Sequence, residues 1–145
     1  MSSHENKTVV RRYYDEVLNR GNLDVLGDLA VADYVEHNPF TGQDSGLSGL
    51  RHRAAMLCTA FRPHFTLDDL IAEDDRVAVR WTNHGTHQGE FLGMPATGRS
   101  FVISGIDIHA LRDGKLAEHW DVVDQLSLLQ QLGLLPAPAG AGSAP

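Results

Sequence analysis

Over roughly the first sixty residues apolar positions recur at helical intervals, and beyond them they alternate, so the chain reads as helices followed by strands. Ser2 and Glu5 stand at capping-box spacing ahead of Val9, Val10, Tyr13, Val17 and Leu18, and Gly21 supplies a stop. This predicts a first helix over roughly residues 4 to 20. Asn22 caps a second, short helix through Leu23, Val25, Leu26 and Leu29. Asp33 to Asn38 breaks that pattern and Pro39 ends it, so Tyr34, His37 and Asn38 are expected at an irregular, polar corner. A third helix carries Leu47, Leu50, Ala54, Leu57, Cys58 and Phe61 as its apolar stripe and stops before Pro63.

From His64 the period becomes two, with strand-like runs at 64 to 72, 76 to 87, 99 to 111 and 116 to 124. Glu73, Asp74 and Asp75 turn the first pair into a hairpin, and Arg112, Asp113, Gly114 and Lys115 turn the last pair. Helices first and antiparallel strands afterwards predict an α+β domain rather than a doubly wound α/β fold. Between the hairpins, Gly89 to Gly98 combines three glycines and Pro95 with Phe91, Leu92 and Met94, and reads as a loop that covers something. A helical patch around Leu126 to Leu132 follows, so the domain is expected to span residues 1 to 135. The tail Pro136 to Pro145 holds only Pro, Ala, Gly and Ser and is expected to be disordered.

A chain of 145 residues that is 42% hydrophobic fits one domain with its own core. Cys58 is the single cysteine, which excludes an internal disulfide framework and points to a reducing compartment. The polar start from Met1 to Thr8 lacks the apolar stretch of a signal peptide, and no run of about 18 apolar residues offers a membrane span. The cytoplasm is the simplest location. A formal charge of −7 without clustered Lys and Arg opposes a nucleic-acid partner.

Candidate chemistry concentrates in the last hairpin, with Asp107 and His109 on one strand and His119 and Asp121 on the next. Each pair shares a face of its own strand. Whether the two pairs share one face depends on the turn: a two-residue Asp113-Gly114 loop separates them, whereas a three-residue loop with Gly114 at the bulge position unites them. The sequence around Gly114 suits the three-residue loop, which leaves Ile106, Ile108, Trp120 and Val122 to pack against helices or a partner subunit, unless these apolar residues line the pocket themselves. Two carboxylates and two imidazoles on a concave face suggest acid/base work, since burying them without mutual hydrogen bonds or function is costly. The same spacing also fits an exposed His-Asp ladder on a solvated face. His84 and His87 have a helical metal-site spacing in a segment that reads as a strand end, and no H-E-x-x-H or C-x-x-C is present, so no metal is expected. Neither a G-x-S-x-G elbow nor a phosphate loop occurs. Arg80, among Val77, Val79 and Trp81, is a secondary candidate for orienting a carboxylate.

The stretch Gly89-Glu-Phe-Leu-Gly-Met-Pro-Ala-Thr-Gly98, with Ser104-Gly-Ile-Asp-Ile108, Asp113-Gly-Lys115, Glu118-His-Trp-Asp-Val-Val-Asp-Gln125 and Gln130-Gln-Leu-Gly133, resembles the SnoaL-like polyketide cyclases. The likeness runs from about Asn6 to Leu132 and implies the nuclear transport factor 2-like cone, a curved antiparallel sheet packed against N-terminal helices, commonly as a homodimer. It also implies cofactor-free intramolecular aldol closure of a polyketide ester. By that resemblance Asp121 is the base and later the acid, His119 orients it, and His109 with Asp107 acts on the substrate oxygen. His37 and Asn38 fall at the pocket mouth, and Tyr34, Arg80, Trp81, Phe91 and Met94 complete the expected substrate-binding set. Position 107 is commonly glutamine in the characterised cyclases and is aspartate here. Asp107, Asp121 and Arg80 together also supply the residue types of a limonene-epoxide-hydrolase-like addition of water. A third reading is a non-catalytic module that binds a small apolar ligand or dimerises.

Overall fold

The structure is a computed structural model that describes residues 2 to 138; the expected disorder of the tail falls, from residue 139 onward, outside the described residues. Ser2 caps the first helix as its spacing predicts, its side chain accepting from the Glu5 N–H at 3.1 Å. That helix, α1 (Ser3–Arg12), continues without interruption as a π-helical segment, Tyr13–Asn19. Each residue turns less about a π-helical axis than in an α-helix, and the neighbours Tyr13 and Tyr14 are both buried, as are Val17 and Leu18. A 3₁₀ turn (Leu23–Val25) leads into the short α2 (Leu26–Leu29), and α3 spans Gly46–Phe61, close to the predicted third helix.

Where an irregular corner was expected, the chain instead forms a strand, β1 (Ala30–Glu36). It lies parallel to the last strand, with Val35 opposite Glu118 and Glu36 opposite His119. Val31, Tyr34 and Val35 have the β-branched or aromatic side chains that suit a strand, but Asp33 and Glu36 obscure the alternation. The pairing partner is some eighty residues away, so nothing local announces it.

The remaining strands follow the alternating pattern closely: β2 (His64–Glu73), β3 (Arg76–Thr86), β4 (Ser100–Arg112) and β5 (Lys115–Val123). They are antiparallel neighbours, and the sheet order is β1-β5-β4-β3-β2. The β4–β5 turn corrects the expected loop. Asp113 and Gly114 both have positive φ (53° and 78°), which makes a two-residue type I′ turn, with Arg112 facing Lys115. Alone, this turn would put the two polar pairs on opposite faces. The register then shifts between Leu111↔Leu116 and Ala110↔Glu118, so Ala117 is an extra residue in β5, and beyond it His109 faces His119 and Asp107 faces Asp121. Consecutive burial of Leu116 and Ala117 is the local mark of that bulge. A second register shift, between Leu67 and Asp69, interrupts β2. Bulges bend strands, and here they help the sheet to curve around its helices.

The helices cover the face that carries the four polar residues, and Val10, Tyr14, Val17, Leu50, Val77 and Val79 are among the buried residues of the core. Ile106 and Ile108 look outward, Ile106 half exposed at 50%, so they pack against no helix. The last helix, α4 (Gln125–Gln131), starts at Asp124, whose carboxylate caps Ser127 N–H at 3.1 Å. Among the described residues no helix is long and apolar enough to cross a membrane.

Candidate active site

Between the concave face, α3, α4 and the Gly89 to Gly98 loop lies a cavity of about 610 Å³. Its wall is largely aromatic, with Phe61, Phe65, Trp81, Phe91 and Phe101 among the lining residues. Trp81 is held edge-on to Phe65 at 5.0 Å, and Gly105 makes room for its six-membered ring: a Cβ there would stand 2.4 Å from Cζ2. Asp107, His119, Asp121, Asn38 and Arg53 are among the polar residues of the lining.

Asp107 and His119 belong to a continuous hydrogen-bonded chain that runs from Tyr14 and His109 to Glu36. The Tyr14 hydroxyl donates to Asp107 Oδ2, and the Tyr14 oxygen lies 2.8 Å from His109 Nε2. With the phenol proton committed to Asp107, His109 donates through Nε2–H, and its Nδ1 is buried without a partner among the described residues. Burial first, and the charge of His119 second, push the His109 pKa down to about 3, which keeps this imidazole neutral. On the other side of Asp107, Oδ1 lies 3.2 Å from His119 Nε2, and His119 Nδ1 lies 2.7 Å from Glu36 Oε2. Burial disfavours a charged His119, but hydrogen bonds to Asp107 and Glu36 and the charges of both carboxylates outweigh it and push its pKa up to about 9. Asp107 and Glu36 are also desolvated, and their contacts with His119 nevertheless hold both below the usual carboxylate range.

Asp121 stands apart from this chain. Its Oδ2 accepts from Arg53 Nη2 at 2.8 Å, and its backbone N–H donates to Asn38 Oδ1 at 2.9 Å. Arg53 also donates to the Asn38 carbonyl at 2.9 Å, approaches Glu36 at 3.6 Å and lies over the Phe40 ring at 4.0 Å. Burial raises the Asp121 pKa, against the opposing charges of His119 and Arg53.

Asp107, His119, Asp121, Asn38, Trp81, Phe91 and Met94 therefore line the cavity, as the sequence suggested. Five other expectations need correction. His109 shares the face but is fully buried behind Tyr14 and is absent from the cavity wall. Tyr34 is in the core, 4% exposed, and also off the wall. His37 lies in the bend that follows β1 and is off the cavity wall, stacking on Trp120 with ring centroids 4.3 Å apart and pairing with Glu118 at 2.9 Å. Arg80 sits opposite Ile106, on the outer face, and pairs with Asp69 at 2.6 Å. Neither does His119 orient Asp121 through a hydrogen bond; Arg53 and Asn38 hold it. Of the outward apolar set only Val122 reaches the cavity.

Three residues escaped the sequence reading: Tyr14, Glu36 and Arg53. Two of them left a signal. Tyr14 falls at i+4 from Val10 and i−3 from Val17, and Arg53 sits between Leu50 and Leu57 on the apolar stripe of α3, where an unpaired charge would be costly. Glu36 left none, because its partner lies across the unforeseen parallel pairing. Donor atoms of Asp107, His109 and His119 lie within 4.8 Å of one another, a separation that a metal ion would also suit. In this structure His119 Nε2 contacts Asp107 and His109 Nε2 contacts Tyr14.

A family model for SnoaL-like polyketide cyclases matches residues 8 to 132, and the chain belongs to that family. Its fold is the mixed α+β, nuclear transport factor 2-like fold of the SnoaL-like structures. Among curated relatives, aklanonic acid methyl ester cyclase DauD of Streptomyces sp. (strain C5) is 34% identical over 142 residues, covering 91% of this chain and 84% of the relative. Nogalonic acid methyl ester cyclase of Streptomyces nogalater is 30% identical, covering 79% and 88%. Among solved structures, TsrD from Streptomyces laurentii superposes with a TM-score of 0.84 at 32% identity, covering 93% of this chain and 99% of that one.

Proposed function

We propose that this protein is a cofactor-free cyclase that closes a ring by intramolecular aldol addition on an aromatic polyketide ester. Asp121 carries the reading: it lines the cavity, burial raises its pKa, and it is the cavity carboxylate not bound to an imidazole. A raised carboxylate pKa brings a general base closer to its working range. In the proposed reaction Asp121 takes a proton from the carbon between two substrate carbonyls. The resulting enolate carbon attacks a second carbonyl carbon, a C–C bond forms, and the new alkoxide takes the proton back from Asp121. Mass is unchanged. Arg53 and His119, both on the cavity wall, place positive charge where the enolate and alkoxide develop. The aromatic wall suits a flat, conjugated substrate, and the names of the curated relatives, cyclases of aklanonic and nogalonic acid methyl esters, point to the same class. The outward Ile106 and Ile108 support self-association through the outer face.

One observation supports a second reading, addition of water to an epoxide. Arg80 cannot serve it from the outer face, but Arg53 bridges two carboxylates, Asp121 and Glu36. Incubation of the protein with aromatic polyketide methyl esters and with small epoxides in ¹⁸O-labelled water, followed by mass spectrometry, separates the two. A product of unchanged mass and altered retention time supports ring closure. Gain of one labelled water supports epoxide hydrolysis and overturns the aldol reading.

A further inference from the structure

His119 is flanked by carboxylates on both ring nitrogens. Nδ1 lies 2.7 Å and 2.8 Å from the two oxygens of Glu36, and Nε2 lies 3.2 Å from Asp107 Oδ1. Ionised carboxylates only accept, so satisfying both contacts requires both nitrogens to donate, which is the imidazolium form. Strand register enforces the first contact, because Glu36 on β1 pairs directly with His119 on β5. Glu36 is itself fixed by the Asn38 N–H at 3.1 Å and by Arg53 at 3.6 Å, and the Glu36 and Arg53 side chains are nearly inaccessible to water.

We propose that Glu36 is a positioning residue that, together with Asp107, holds His119 as a standing imidazolium on the cavity wall, so that His119 acts on substrate as a fixed positive charge and not as a proton shuttle. The charged and titratable groups facing His119 are Asp107 and His109 from β4, Asp121 from its own strand, Glu36 from β1, Arg53 from α3, and Tyr13 and Tyr14 from the first helix. His109 is neutral and both tyrosines stay protonated, since burial raises them. The ionised set is then Glu36, Asp107 and Asp121 against Arg53 and His119, and the uncompensated negative charge favours uptake of one proton. That proton is the one Asp121, as base, removes from substrate. Proton removal by Asp121 followed by enolate formation keeps the charge of this region constant while the negative charge moves onto substrate beside His119. The product oxygen then recovers its proton from Asp121. The catalytic part of this statement rests on the cyclase reading; the protonation part does not.

NMR titration of the ¹⁵N-labelled His119 ring in the unliganded protein tests the protonation directly. The expected wild-type midpoint is about 9, and Glu36→Gln should bring it down by about two units. Asp107→Asn, which removes the other carboxylate, should also lower it and serves if Glu36→Gln fails to fold. A wild-type midpoint near the ordinary histidine value, or one that Glu36→Gln leaves in place, overturns the proposal whatever the reaction. Turnover of the polyketide ester at two pH values tests the catalytic half. Glu36→Gln should be within about twofold of wild type at pH 6, where His119 is protonated in both, and about tenfold or more below it at pH 8. Glu36→Asp, which keeps the charge, should recover part of that loss. A loss equal at both pH values means that Glu36 only supports the fold and overturns the positioning role.

Discussion

Replacing Asp121 by Asn should move activity and stability in opposite directions. Burial lifts the Asp121 pKa above its unfolded value of about 3.9, so ionising it works against the folded state. The stability this group contributes is complete below the unfolded value and is lost as pH rises through the folded one, so the ionised wild type lacks it. Asparagine has no charge to desolvate, and its amide oxygen can still accept from Arg53 Nη2, now at 2.8 Å from the carboxylate. Asp121→Asn should therefore unfold at an equal or higher urea concentration than wild type at pH 7, and the difference should vanish towards pH 3. Turnover should fall steeply. Asp107 cannot substitute as base, because both its oxygens are engaged by Tyr14 and His119. General-base catalysis contributes about a hundredfold to ten-thousandfold, equivalent to about 3 to 5 kcal/mol of activation free energy. Urea titrations monitored by tryptophan fluorescence, beside mass-spectrometric rates on the same preparations, give both quantities. A folded variant within about tenfold of wild-type turnover refutes the role of Asp121 as base, and a variant destabilised at pH 7 refutes the electrostatic account of its pKa.

Tyr14→Phe should destabilise the protein by about 1 to 3 kcal/mol in the same denaturation assay, because it strips a buried donor from Asp107 and leaves His109 Nε2–H without an acceptor. Unchanged stability would mean that these contacts contribute nothing net. Arg80→Ala should leave turnover within about twofold of wild type, since Arg80 lies on the outer face with Asp69; a large loss would restore it to the site. Deleting Ala117 should abolish turnover, because without the bulge the type I′ turn sends His119 and Asp121 to the outer face. A folded deletion variant with wild-type activity would show that the register is set elsewhere.

Most of the architecture was legible because helix and strand periods are local properties: α3, α4 and all four antiparallel strands lie close to where the hydrophobic pattern puts them. β1 was not legible, since it is specified by a partner distant in sequence and its own alternation is interrupted by Asp33 and Glu36. The last hairpin is more instructive. The expectation that Asp107, His109, His119 and Asp121 share a face agrees with the structure, but the expected cause does not. Asp113-Gly114 makes the shorter loop, and Ala117, which no residue type in the sequence around it marks as a bulge, restores the parity. In the site, residues on strands could be placed by counting, whereas Arg53 and Tyr14 needed the question of why a charge and a phenol sit on apolar helical stripes. Arg80 misled because residue type suggested chemistry that strand alternation then directed outward, whereas His37, placed at the pocket mouth by family resemblance, turns onto Trp120 instead.

The π-helical turn at Tyr13–Asn19 has an implication for descent. A π-turn uses one residue more than an α-turn over the same span, and an insertion of that kind rotates everything on one side of it relative to the other. Here it brings two successive tyrosines inward, one onto the cavity and one onto Asp107. Relatives that lack the inserted residue would present only one aromatic side chain at this level, and their cavities would differ in shape at Tyr13 while the sheet residues stayed in place. The helix is thus a dial for cavity shape that evolution can turn by one codon without disturbing the strands.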